Sequence, residues 1–235
     1  MNGRRDGRRR KSKSSCRVRE LRSWSMASSE SSRTSEPTFL THHALRIKGF
    51  ARVDNLVEMI ELDHGVVEEH LRSMADSEWA VFREARSLWQ LTPQGRASHV
   101  EVLAADLRGI DLGALAPHYA QFLDLNGRFK QLCGDWQLRD GEMNDHSDPK
   151  YDAKVIDRLS ELDSEARPVV GAMSEVLGRL RTYGGRLEST CRSVREGRHD
   201  LFTGVMCGSF HDVWMELHED LILSQGIDRA AEGSF

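Results

Sequence analysis

Between Glu61 and His64 the chain has room only for a tight turn, and on both sides of that turn apolar residues recur at helical spacing. Leu56, Val57 and Ile60 share one face before it, and Val66, Val67, His70, Leu71 and Met74 share one after it. Two short helices joined this closely form a helix-turn-helix. Asp54 and Asp63 stand where N-caps of the two helices are expected. An earlier helix is predicted over 41–48, with Thr41 as its cap and Gly49 as its end. After Met74 the period changes. Residues 79–82 and 87–92 are short, aromatic and apolar, as strands are, and the tip between them is Arg83-Glu84-Ala85-Arg86. Thr92 and Pro93 then open another helix that runs past Val100 and Leu103 to Leu107, since proline is tolerated in a first helical turn. The expected product is a winged helix-turn-helix with a small β-hairpin wing.

The string Leu91-Thr92-Pro93-Gln94-Gly95-Arg96 resembles the end of the wing in MarR-type winged-helix regulators. Leu45-Arg46-Ile47-Lys48-Gly49 and the valine-containing segment 65–75 follow the same order. The resemblance covers residues 41–107, under a third of the chain. A further similarity is to small winged-helix segments of actinobacterial proteins with phosphoenolpyruvate-utilising domains, although this chain shows no such enzyme domain. In the MarR type the third helix enters the major groove and the wing meets the backbone. Carried onto this chain, that implies double-stranded DNA as partner, with Gly65, Glu68, Glu69 and Arg72 outward on the third helix and Arg83 and Arg86 at the hairpin tip. Arg72 and Glu69 are then the expected base readers. The charge is unusual for the role, because residues 41–112 hold eight Lys or Arg against twelve Asp or Glu, whereas affinity for DNA rests largely on cations that neutralise phosphates.

From Ala116 to Ser224 the apolar spacing reads as helical throughout, and an all-α bundle is expected. Its stripes are centred on Phe122 and Trp136, on Val155 and Leu162, on Val170 and Leu180, on Leu187 and Val194, and on Phe210 and Leu221. Breaks are predicted at 140–149, at Gly184-Gly185 and at 197–208. Trp136, Phe210 and Trp214 are placed as walls of a small-molecule effector pocket, with His211 or His218 at its polar edge and His146 as a further ligand contact. The alternative is that these aromatics fill the bundle core. Asn144-Asp145-His146-Ser147-Asp148 reads as a turn and cap cluster or as a ligand loop. Glu216, Glu219 and Asp220 are assigned to a solvated face. No metal site and no cofactor are expected.

The overall charge of −4 conceals a split, since the first 26 residues carry +8 and the remainder −12. Residues 1–36 are basic and then serine-rich, with too little apolar surface to offset ordering, and are expected to be a disordered tail; Met26 is an alternative start. Domains are expected at 37–112 and 113–235. Cys16, Cys133, Cys191 and Cys207 form no metal or disulfide spacing, no apolar run suits a membrane span, and a cytoplasmic setting follows. Nucleophile-elbow, phosphate-loop and dinucleotide motifs are missing, so no enzymatic activity is expected. The leading expectation is a transcriptional regulator, homodimeric, with a helical ligand-sensing or dimerisation domain. The competing one is a winged-helix protein-interaction module that no longer binds DNA.

Overall fold

A computed structural model of the chain describes residues 34–228; the tail expected over 1–36 lies outside them except for residues 34–36, which lead into the first helix. The protein is mainly α-helical with a small antiparallel sheet. The order begins α1 (Pro37–Lys48), β1 (Phe50–Ala51), α2 (Val53–Ile60), α3 (His64–Asp76), β2 (Ala80–Arg83), β3 (Leu88–Leu91) and α4 (Pro93–Asp106). The sheet order is β1-β3-β2. The β2–β3 register pairs Phe82 with Trp89 and Arg83 with Leu88, and β1 pairs Phe50 with Gln90.

Asp63 caps α3 by accepting the Gly65 N–H, and Thr92 caps α4 by accepting the Gly95 N–H. Two other caps differ from expectation. The first helix starts at Pro37, whose fixed φ suits a first turn, so Thr41 lies inside it, fully buried. Its hydroxyl donates to the Pro37 carbonyl and sits 2.9 Å from His70 Nδ1. In α2 the N-cap is Arg52, and Asp54 falls in the first turn, where a carboxylate suits the helix dipole.

The second half holds α5 (Ala116–Gln137), a short hairpin of β4 (Leu138–Arg139) and β5 (Glu142–Met143), α6 (Pro149–Val176), α7 (Arg181–Arg195), α8 (Asp200–Thr203) and α9 (Phe210–Gln225). Reading this half as helical throughout overlooks the hairpin, which turns through Asp140 and Gly141, both at positive φ. The second stripe and the third as far as Val176, between which no break is predicted, lie on one continuous helix, α6, which passes through Pro168 on its exposed side. The break predicted at Gly184-Gly185 sits at 177–180 instead, and both glycines lie within α7. A Cβ on Gly184 would come 3.7 Å from Val170, so a small residue there lets α7 lie close on α6.

The described residues belong to one compact unit. The boundary expected at 112 is crossed by packing of α1 on α9 and of α2 on α7. One apolar core runs from Leu45, Leu56, Val67 and Leu71 to Phe122, Phe129, Leu159, Trp214 and Leu217. None of the helices among the described residues is long and apolar enough to cross a membrane.

Candidate nucleic-acid interface

Helix α3 buries Val67, Leu71 and Met74 against α1, α2 and β2. Helical periodicity then leaves the opposite face to solvent. Gly65, Glu69, Arg72 and Ser73 are exposed there, with Glu68 half-buried and Val66 partly exposed. Thus Gly65, Glu68, Glu69 and Arg72 do share one accessible face. Arg72 is the only Lys or Arg in α3, and its guanidinium donates to Glu68 at 2.7 Å, the favourable i, i+4 pairing. His64, at the start of α3, lies 3.3 Å from Asp54 and 3.9 Å from Glu68.

The β2–β3 connection is a single 3-10 turn, Glu84–Arg86, closed by Ser87 in a left-handed conformation. Arg83 and Arg86 are both exposed at this tip. Arg83 donates weakly to Gln90 at 3.4 Å, and Phe82 rests on Trp89 with ring centres 5.3 Å apart. The hairpin is tied to α4 at Thr92, whose hydroxyl donates to the Glu78 carbonyl at 2.6 Å. Gly95 seals this corner, since a Cβ there would lie 1.9 Å from the Trp79 carbonyl oxygen. The glycine in the 91–96 string is therefore required by close backbone approach.

The residues expected to wall one effector pocket are spread over three places. Trp214 is fully buried on α9, stacked 5.0 Å from Phe122 and packed on Phe129 and Phe210, and its indole N–H donates to Asn126 at 2.9 Å. Phe210 is also fully buried, and His218 sits in the same core beside Tyr119 and Phe122. These side chains are close-packed core, the alternative weighed for them above. Trp136, near the C-terminal end of the 22-residue helix α5, packs instead with Phe202 and His146. His146 is half-exposed at positive φ, and its Nδ1 is 3.1 Å from the buried Asp152 carboxylate. Buried Asn144 braces that pair by donating to Asp152 and to the Trp136 carbonyl. Asp148 caps α6, as the turn-and-cap reading of this loop has it. His211 faces a cleft of about 330 Å³ between α9 and the outer sheet residues Phe50 and Leu88.

Sequence reasoning missed a cluster of buried charge among the described residues. Asp220 and Glu216 belong to no solvated face, since their side chains are only 2% and 9% exposed. His99 Nε2 on α4 meets His43 Nδ1 on α1 at 2.8 Å, and His43 Nε2 meets Asp220 on α9 at 3.0 Å. Asp220 accepts from Arg179 at 3.1 Å, and Arg179 donates back to Asp106 on α4 at 2.9 Å. His99 and Asp106 are two turns apart on α4, so the contacts close a ring through α4, α1, α9 and the 3-10 turn Gly178–Leu180. Alongside it Lys48 and Arg186 both pair with Glu216, and Arg46 pairs with Glu219. Burial alone would raise the Asp220 carboxyl, but Arg179 and His43 outweigh it and hold it well below the usual carboxylate range. Burial, helped by His43 and His42, lowers His99 to about 3, and His42, whose Nε2 lies 2.8 Å from the Gly95 carbonyl, is also lowered by burial. Only Glu216 is flanked by apolar residues on both sides, Met215 and Leu217; Asp220 follows Glu219 directly, so the local sequence does not set it apart from a solvated carboxylate.

Burial pushes the Cys133 thiol up to about 12 and raises Cys191 too, so neither is poised as a nucleophile. Among the described residues no group of three or more His, Cys, Asp or Glu is disposed to hold a metal ion. No family model matches the chain, and no match was found among curated proteins or solved structures.

Proposed function

We propose that the protein is a DNA-binding transcriptional regulator of the cytoplasm, built on a winged helix-turn-helix and without enzymatic activity. The observation that carries this reading is the placement of α3. It packs by one face on α1, α2 and β2, its opposite face is open, and the helical half attaches through α1 and α2 on other sides. An open helix beside a hairpin tipped by Arg83 and Arg86 suits groove and backbone contacts on double-stranded DNA. The strand order β1-β3-β2, with β2 packed on that helix, supports the same fold reading. The helical half serves as the sensing or dimerisation part, and the buried ring ties it to α1 and α4 of the first half. A homodimer would present two α3 helices to a two-fold operator.

A second reading has its own observation. Arg72 is committed to Glu68, so the open face of α3 presents more carboxylate than free cation. That favours a protein partner with a basic surface. Genome-wide capture of DNA fragments by the purified full chain at stated salt decides between them. Recovery of a defined sequence motif supports the regulator, and recovery of none across low and moderate salt removes it in favour of the protein-interaction module. Light scattering of the same preparation reads the dimer.

A further inference from the structure

A cleft of about 430 Å³ opens between the start of α1, the outer side of α3 and the turn before β2. Its apolar walls are Phe39, Met74, Trp79 and Val102, and His42 stacks on Trp79 with ring centres 5.6 Å apart. Its polar rim is Thr38, Glu69, His70, Ser73 and Ser77. Glu69 is the only Asp, Glu, Lys or Arg lining it, and among the described residues no hydrogen bond or ion pair engages its carboxylate. His70 is held by Thr41, and His42 is turned to the Gly95 carbonyl.

We propose that this cleft binds an amphipathic organic cation, an aromatic ring carrying an ammonium group on a short alkyl arm. The volume suits a small molecule, and apolar walls with few polar groups are the usual make-up of such sites. The ring enters between Phe39, Met74 and Trp79, where a thioether and an indole face both favour aromatic and cationic contacts. The ammonium meets the Glu69 carboxylate and the Ser73 and Ser77 hydroxyls. An anion of the same shape finds no Lys or Arg among the lining residues. Because Glu69 also lies on the open face of α3, the bound cation cancels a carboxylate that would oppose DNA phosphates. The site thus strengthens DNA binding when filled, a consequence that rests on the regulator reading while the site itself does not.

Calorimetry on the full chain with 3-phenylpropylammonium, 3-phenylpropanol and 3-phenylpropanoate tests the site. The cation should bind about tenfold more tightly than the alcohol, the gain of one partly desolvated charge contact, and the propanoate should not displace it. Glu69→Gln should erase the preference of cation over alcohol, and Ser73→Lys, a change at an exposed position, should abolish cation binding by placing a fixed ammonium in the cleft. The inference is overturned if the cation gives no saturable heat up to about 10 mM, weaker than any useful affinity. It is equally overturned if the propanoate competes or Glu69→Gln keeps the preference. Binding as expected with no change in captured DNA supports the site and counts against α3 as a DNA reader.

Discussion

Replacing Arg179 with methionine should be the most damaging single change in the protein outside its apolar core. The side chain is 4% exposed and bridges two carboxylates, Asp106 at 7% and Asp220 at 2%. Methionine keeps most of the volume but strands both acids in a site that water barely reaches. Removing one partner of a buried ion pair costs about 3–5 kcal/mol, since the remaining charge stays desolvated. Here two charges are left, but His43 still faces Asp220 and Ser224 still donates to its carboxylate at 3.0 Å, which holds the loss near the single-pair range. A cost of about 4 kcal/mol is a large part of a typical domain stability of about 5–15 kcal/mol. For a unit of this size it lowers Tm by roughly 8–16 °C. Urea unfolding followed by circular dichroism measures it directly. Adding Asp106→Asn and Asp220→Asn to Arg179→Met should recover part of the loss, because the stranded charges are then gone, and the cycle gives the coupling energy. Hydrogen exchange adds a spatial test, in which α1 and α9 should lose protection together. A loss below about 1 kcal/mol for Arg179→Met, in the range of an exposed pair, would refute the view that this ring is dry and structurally decisive.

Stability should also fall on mild acidification. His99 and His42 have folded pKa values below the unfolded one, so the unfolded chain takes up protons first as pH drops. The stabilisation is complete above about pH 6.5 and is lost as pH falls from there, for His99 towards about 3, with a slope of at most about 1.4 kcal/mol per pH unit for each histidine; His99→Gln should flatten the curve measured between pH 7 and 5. Asp220 acts lower, its depressed pKa giving stability that is present above about pH 4 and lost beneath it. Gly95→Ala should destabilise by about 2 kcal/mol or more, since its Cβ meets backbone oxygen and no side chain can swing aside; a melt within a degree of the parent would mean that the β2–α4 corner yields. Replacing Arg83 and Arg86 together with Ala should weaken binding to a captured operator and reduce the salt slope by about two, one per phosphate contact. An unchanged slope would take the hairpin tip off the DNA.

How far residues announce their roles differs between the two halves. Asp63, Thr92 and Pro93 act locally, through one turn of backbone, and their positions mark where α3 and α4 begin. The period change near Trp79 likewise places β2 and β3. In the second half spacing locates apolar stripes but cannot tell where one helix gives way to the next, which is why Gly184-Gly185 reads as a turn although both glycines lie within α7. The ring was illegible for a different reason. His43, Asp220 and Arg179 are far apart in sequence, and a charged residue in a helix looks the same whether it faces water or a buried counter-charge. Of the open α3 face, the four outward positions came with the MarR-type resemblance, while the self-pairing of Arg72 with Glu68 went unread, although their i, i+4 spacing allows it. The Glu69 cleft needed tertiary structure, since α1 and the turn before β2 supply its other walls.

The long-range pairs of α1 set an order on biosynthesis. Lys48 is separated from Glu216 by 168 residues and Arg46 from Glu219 by 173. At ribosomal speeds of about 5–20 residues per second, roughly 8–35 s pass between the appearance of α1 and that of its partner helix. Through that interval the first half is on its own, with the face destined for α9 uncovered. That face carries His43, Arg46 and Lys48. An apolar surface left waiting so long would invite association between nascent chains. A cationic one stays hydrated and mutually repellent until α9 arrives, after which the same charges become the seam that closes the molecule.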